Sequence, residues 1–331
     1  MAISDEIQRL QTAKADLKTA IEAQGVTVPS STTLDGYAAL VGQISGGGGG
    51  STNEISYPAW VKNGDTHLWL DIRNTYQLDQ RVRIRMIGTI DWGDGTAAQN
   101  VSVTTYTTFT HTYAAPGKYR IDLHPTSGTF YLGGAGTSYN VMGLRTNRQV
   151  PISALYQAEI GTSRITLISN CAFYHCSGLL RIYVPKTIVT IDSSYAFGNC
   201  YSLREVVFED SSTINNTTTG SSSAFYYDYS LQDVHGYAPP NIETMSYWYR
   251  QCYTIAEITI PESITTIQNY AINGCTGLKV IHCLPTTPPT IADANAFAPP
   301  AACVIEVPSA SLATYQAANI WANYASQMVG V

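Results

Sequence analysis

The chain has 331 residues, 44% of them apolar and only 13% charged, with a formal net charge of −6. That length exceeds what one compact core usually serves, so several domains are expected. The charged share is about half the usual one, and Thr, Ser, Tyr, Asn and Gly fill the difference. The chain has no basic run, which argues against a nucleic-acid partner. It also has no apolar stretch near the ~20 residues of a membrane span, and its first residues, MAISDEIQRL, lack the apolar core of a secretory signal.

Residues 3–24 read as a helix whose seam is Ile3, Ile7, Leu10, Leu17 and Ile21, with Lys14 filling one position. Three short heptads suit an oligomerising helix, but they equally suit one packed on a second helix at about residues 33–44, where Leu34, Tyr37, Val41 and Ile44 share a stripe. Residues 1–45 are therefore expected to be a helical anchor. The run SGGGGGS at 45–51 lies in a flexible linker, taken as residues 46–54.

From residue 55 the chain alternates like strands: HLWLDI, RVRIRMIGTIDW, FTHTYAAPGKYRIDLH. Asp91-Trp92-Gly93-Asp94-Gly95-Thr96 is a turn in which glycine permits the tight backbone and Asp94 can accept turn amides. Pro116-Gly117 makes the hairpin into the last strand. This WGDGT…HTY…PGKY pattern resembles the PKD domain, which implies a small immunoglobulin-like β-sandwich over roughly residues 55–145. Asp91 and Asp94 are too few for a calcium site. Gly133, Gly134 and Gly136 lie in LGGAGTSYNVMGL, which has no following Lys-Ser/Thr and opens no helix, so it reads as a junction.

Beyond residue 150 the chain repeats itself. AFYHCSGLLRIYVP, AFGNCYSLREVVF, AFYYDYSLQDVHG, WYRQCYTIAEITIP and AINGCTGLKVIHC place Phe173, Phe197, Phe225, Tyr249 and Ile272 at intervals of 24, 28, 24 and 23 residues. An apolar pair such as Ile165 and Ile168, or Ile188 and Ile191, precedes each. The period falls in the leucine-rich-repeat range, and the pattern resembles BspA-like leucine-rich repeats of bacterial and viral surface proteins. The resemblance implies a solenoid over residues 150–308, with a closing repeat at Ala296-Phe297 and VIEVP, and a capping helix within 309–331. Such coils cannot bury an apolar face alone and must stack. Phe173, Leu179, Ile182 and Val184 and their equivalents should point inward, and each I-x-V should add a strand to a continuous parallel sheet. Cys176, Cys200, Cys252 and Cys275 should form a buried column, with Asp228 replacing the cysteine in one coil. The fold class is thus mainly β and multidomain: helical anchor, Ig-like sandwich, leucine-rich-repeat solenoid and cap.

Removing the inward positions leaves Tyr174, His175, Tyr195, Asn199, Tyr201, Tyr226, Tyr227, Tyr229, Tyr247, Trp248, Arg250, Tyr253 and Tyr270, with serines and asparagines among them. At one phase of a stacked solenoid these should form one stripe. Tyr, Trp, Ser, Asn and Arg are the residues of antibody paratopes, and aromatic faces beside amides and hydroxyls also suit sugars. The alternative is a surface that merely solvates the solenoid. The stripe is similar to hypervariable targets of diversity-generating retroelements, which favour Tyr, Asn, Ser and Asp.

Enzymatic chemistry finds no support: G-x-S-x-G and H-E-x-x-H are absent and the six histidines are scattered. Seven cysteines, Cys171, Cys176, Cys200, Cys252, Cys275, Cys283 and Cys303, form neither a disulfide framework nor a zinc spacing, and no cofactor or metal is expected. Residues 1–44, and the order of helix, glycine linker, PKD-like domain and repeats, resemble phage tail proteins. The resemblance implies a receptor-binding tail protein of the virion that docks to tail or baseplate proteins through its N-terminal helices. It would trimerise there and present the stripe to a glycan or protein on the bacterial surface. The other readings are a bacterial cell-surface adhesin and a structural tail spacer that binds nothing.

Overall fold

The computed structural model describes Lys18 and residues 57–133, 140–142, 154–191, 195–212, 214, 224–237 and 241–331. Apart from Lys18, which is helical, the expected helices at 3–24 and 33–44 and the glycine linker lie outside the described residues. So do Gly134, Gly136, Ser194, Ser222 and Ser223. Residues 60–331 form one compact unit.

Its first part holds β1 (Thr66–Ile72), β2 (Asp79–Asp91), β3 (Gln99–Ser102), β4 (Thr107–Thr112) and β5 (Gly117–Leu132). All pairings among them are antiparallel, with β5 between β1 and β2 and with β3 and β4 on β2. Alternation sets the faces: in β2, Val82, Ile84, Met86 and Ile90 are buried while the intervening arginines are not. The motif residues knit together. Asp94 accepts the amide and hydroxyl of Thr96 through Oδ1 (3.1 and 2.6 Å) and pairs with His111 Nε2 through Oδ2 (2.8 Å). His111 stacks on Trp92, and the Tyr113 hydroxyl donates to the Trp92 carbonyl at 2.7 Å.

The solenoid begins at β6 (Leu155–Glu159), which pairs antiparallel with β1 on one edge and parallel with β8 (Arg181–Val184) on the other. The parallel run continues through β10 (Glu205–Phe208) to β11 (Asp233–His235), so one sheet spans both parts and β1 closes the upstream end of the solenoid. A second flank is built from the apolar pairs: β7 (Leu167–Ile168) on β9 (Thr190–Ile191), then β12 (Thr244–Ser246), β14 (Thr266–Gln268) and β16 (Thr290–Ile291). The remaining strands are β13 (Glu257–Ile260), β15 (Val280–Cys283), β17 (Val304–Val307) and β18 (Met328–Gly330), paired in that order.

The expected continuous sheet is therefore interrupted between β11 and β13, and among the described residues no strand joins β9 to β12. Elsewhere a backbone amide bridges successive coils, as Gln232 N to Arg204 O and Lys279 N to Ala256 O, both at 2.8 Å. At the break the Thr254 hydroxyl takes over, donating to the Leu231 carbonyl at 2.8 Å.

The downstream cap also departs from expectation. The helix anticipated over 309–325 is short: α1 is Leu312–Ala317, and Ala318 is extended. Ile320 adopts φ 64°, and 3-10 turns flank α1 at Ser309–Ser311 and Trp321–Gln327. Burial of two aromatics explains the break. Tyr315 donates to the Pro285 carbonyl at 2.8 Å and Trp321 Nε1 to the Pro289 carbonyl at 2.7 Å. One straight helix does not bring both rings down onto Phe297, against which Trp321 packs at 4.6 Å. β18 then covers the last sheet edge by pairing with β17.

Candidate functional site

The stripe is built on the A-F-x-x-C turn of each coil. Two parallel backbone ladders run through these turns without interruption. In the first, the amide after each alanine position donates to the next coil's alanine-position carbonyl: Phe173 to Ala196, Phe197 to Ala224, Phe225 to Trp248, Tyr249 to Ala271 and Ile272 to Ala296. In the second, His175 donates to Gly198, Asn199 to Tyr226, Tyr227 to Arg250 and Gln251 to Asn273, at 2.8–3.1 Å. Both pass straight across the coil boundary where β11 and β13 do not pair.

This geometry requires left-handed backbone. His175, Asn199, Tyr227 and Gln251 have φ between 58° and 63°, and Gly274 takes the same place in the fifth coil. One residue before the alanine position, Cys171, Tyr195, Tyr247 and Tyr270 are also left-handed. Non-glycine residues there are strained by about 1–2 kcal/mol each, and clustered strain of this kind is a mark of functional sites. Tyr195, Tyr227, Tyr247 and Tyr270 are the tyrosines among them, and all four are only partly buried.

Behind the turns lies the core. Phe173, Phe197, Phe225 and Tyr249 stack coil on coil at 5.6–5.9 Å. The cysteine column is present, and three of its four thiols bridge to the preceding coil. Cys200, Cys252 and Cys275 donate to the carbonyls of Phe173, Phe225 and Tyr249 in the coil before, at 3.0–3.2 Å. Burial pushes these thiols up, Cys275 to about 12.

In front of the turns the tyrosines make two rows. Tyr174, Tyr195, Tyr226, Tyr247 and Tyr270 follow one another at 5.3–6.0 Å. Gly198 makes the second step possible, because a Cβ there would lie 3.4 Å from the Tyr195 ring and 3.2 Å from the Tyr226 carbonyl. Tyr201, Tyr229 and Tyr253 form the other row, stacked in nearly parallel planes with ring centres 5.2 Å apart. Tyr201 and Tyr253 are 39% and 41% exposed. Tyr227 joins the rows, 3.9 Å from Tyr226 and 5.9 Å from Tyr229, and His175 meets both Tyr174 and Tyr201. Each such aromatic pair contributes about 0.5–1.5 kcal/mol beyond its buried area. Four coil-to-coil steps make the array roughly 20 Å long.

Arg250 sits within this array, its guanidinium carbon 4.5 Å from the Tyr270 ring centre and 5.3–5.8 Å from those of Tyr226, Tyr227 and Tyr247. Burial raises Tyr201 and Tyr229 and raises Tyr174 to about 12, while it lowers His175. These phenols and the imidazole are neutral at pH 7.

Twelve of the thirteen residues anticipated for the stripe are brought together, and one is not. Trp248 is 0% exposed. It occupies the alanine position of its coil, whose phase is inward, and its ring packs against Tyr237 and Tyr249. Asn199 needs a smaller correction, being only 6% exposed. Its Nδ2 donates to the Tyr174 hydroxyl at 2.8 Å and contacts His175 Nε2 at 3.3 Å, so it holds rings in place from beneath.

Sequence reasoning missed Asn140, in the stretch read as a junction. Val141 N donates to the Ala172 carbonyl at 2.7 Å, which extends the first ladder one step upstream. Asn140 Nδ2 caps the Tyr174 carbonyl at 2.8 Å. A repeat lacking A-F and Cys gives no periodic signal; only the Asn-Val-Met run at 140–142 marks it.

Among the described residues no helix is long and apolar enough to cross a membrane, and no cluster of three His, Cys, Asp or Glu suits a metal. Residues 154–279 match the family described as BspA type Leucine rich repeat region, in six copies. Among solved structures, the leucine-rich repeat protein of T. pallidum is similar at 16% identity with a TM-score of 0.27, over 43% of this chain and 82% of that one. No curated protein is significantly similar. Residues 154–279 are thus a solenoid of six BspA-type leucine-rich repeats, an architecture that points to binding or adhesion.

Proposed function

We propose that the chain is a receptor-binding protein of a phage tail, and that the tyrosine array is the face it presents to a bacterial surface. The observation that carries this reading is the pair of unbroken ladders beneath the array. The backbone keeps the aromatic turns in register across the boundary where β11 and β13 do not pair. A surface that served only solubility would have no need of strained backbone or aligned rings. Rigid tyrosines offer contact area at low entropic cost.

The tail assignment rests on the resemblance of residues 1–44 and on the order of segments. In this reading the N-terminal helices attach the chain to tail or baseplate proteins and trimerise it. Residues 55–145 are a PKD-like spacer, supported by the way Trp92, Asp94, Thr96, His111 and Tyr113 interlock. Three tethered copies would raise weak single-site affinity. The protein acts by binding and catalyses no reaction. A bacterial cell-surface adhesin would use the same face.

The test is adsorption of the purified chain to host cells. Replacing Tyr201, Tyr229 and Tyr253 by serine should reduce binding at least tenfold in a chain that still unfolds cooperatively, at a melting temperature lowered by the lost ring pairs. Undiminished adsorption would make the solenoid a spacer. Immunogold labelling of virions and of uninfected cells separates the tail protein from the adhesin.

A further inference from the structure

Three features of the molecule stand apart from the array's general character: a cleft lined by Asp71, Arg73, Tyr76 and Tyr156, the buried carboxyl of Asp228, and the guanidinium of Arg250. The third has unspent chemistry. Arginine carries five N–H donors in a planar fork. In Arg250 one of them is used, Nη1 to the Tyr226 hydroxyl at 3.2 Å. Nε is enclosed without a partner, while Nη2 also lacks one and is not enclosed. No carboxylate among the described residues pairs with it.

The surroundings favour an incoming anion. The twelve array residues include no acid, and Arg250 is the one permanent cation among them. Asp228, the acid among the turn positions, is fully buried. On a chain of net charge −6 this is an isolated positive point in a neutral frame. Four aromatic rings hold the guanidinium in place and shield it, which strengthens its attraction for an oxyanion.

The form of the array narrows the partner. The ladder amides and carbonyls are consumed by one another, so the face has no free backbone edge onto which a peptide strand could add. It offers instead a row of tyrosine rings repeating every 5.2 Å, their faces covered by their neighbours and their edges outward. A row of that kind suits a polymer that itself repeats hydroxyls along its length. One cation is too few for a nucleic acid.

Resting on the binding role proposed above, we infer that the ligand is an acidic polysaccharide. Its hydroxyls lie along Tyr201, Tyr229 and Tyr253, and a carboxylate reaches across Tyr227 to the open edge of Arg250.

Interferometry with the full chain tests this, using immobilised polygalacturonate and the same polymer with its carboxyls methyl-esterified. The wild-type chain should bind the acid form at least tenfold tighter, and the preference should shrink at high salt. Arg250→Gln should remove the preference, read as the ratio of the two affinities in the same variant. Arg250→Lys keeps the charge but loses the fork and should retain only part of it; this variant decides the matter if the glutamine variant does not fold. Equal wild-type binding to both polymers, or a preference that survives Arg250→Gln, overturns the inference. If that equal binding is lost on Tyr227→Gly, the array still stands as a binding face. Failure to bind either polymer, with host adsorption still dependent on the tyrosines, overturns the polysaccharide assignment alone. Failure of both assays overturns the binding role itself.

Discussion

Asp228 occupies the position that four other coils give to cysteine, and its Oδ1 accepts the backbone amide of Cys200 at 2.8 Å. Its Oδ2 is buried without a partner. Burial drives this carboxyl well above the usual aspartate range, so it holds a proton in the folded protein and loses it on unfolding at neutral pH. The folded state then binds more protons than the unfolded one. Stability should fall as pH rises from about 4, the unfolded aspartate value, toward the raised folded value. Asp228→Asn keeps the acceptor without the ionisation. It should raise stability at neutral pH, because the unfolded aspartate gains by ionising and asparagine does not, by up to about 1.4 kcal/mol per pH unit above 4, and flatten the pH dependence. Urea midpoints across a pH series measure both effects, and parallel curves for the two proteins would refute the protonated carboxyl.

Trp248 belongs to the core, and a variant there reports on folding. Trp248→Ala should cost about 3–5 kcal/mol through the cavity left beside Tyr237 and Tyr249. Chemical denaturation checks this. A loss below about 1 kcal/mol would mean that the ring does not fill that space.

Tyr227 separates backbone strain from ring contacts. Its φ of 63° suits glycine, which the fifth coil uses at Gly274. Tyr227→Ala and Tyr227→Gly lose the same ring contacts, but glycine also relieves the left-handed strain. The glycine variant should therefore be the more stable of the two by about 1 kcal/mol. Equal melting temperatures would argue against a left-handed residue. Both variants should bind the host at least tenfold more weakly.

None of the seven thiols is in a disulfide and all are buried, and burial raises those of Cys176, Cys200, Cys252, Cys275, Cys283 and Cys303, the last to about 11. A thiol reagent at pH 8 should label none of them in the native protein and all seven in denaturant. Rapid native labelling at Cys200 or Cys252 would show that the column opens in solution.

Much of the architecture was legible in the chain because a solenoid repeats its demands locally. A coil of about 24 residues must place Phe, Cys, Leu and Ile at the same phase each time, so Phe173, Phe197 and Phe225 announce themselves by spacing alone. The outward tyrosines follow by subtraction, and so does the buried thiol column. Trp248 was misplaced because an aromatic at an alanine position looks like surface composition until the space beside Tyr237 is known. Asn140 was missed because a terminal coil has a neighbour on one side only and need not keep the repeat.

What tertiary structure decided is how the pieces meet. The shared sheet through β1 and β6 depends on which edge of each strand remains unpaired, and no local pattern encodes that. The missing pairing between β11 and β13, with the turn ladders intact, depends on hydrogen bonds made coil to coil, which no single coil's sequence encodes. Arg250 in its cage depends on four tyrosines from three coils converging at distances that only stacking sets. Periodicity fixes which side chains face out, and packing between coils determines what they do together.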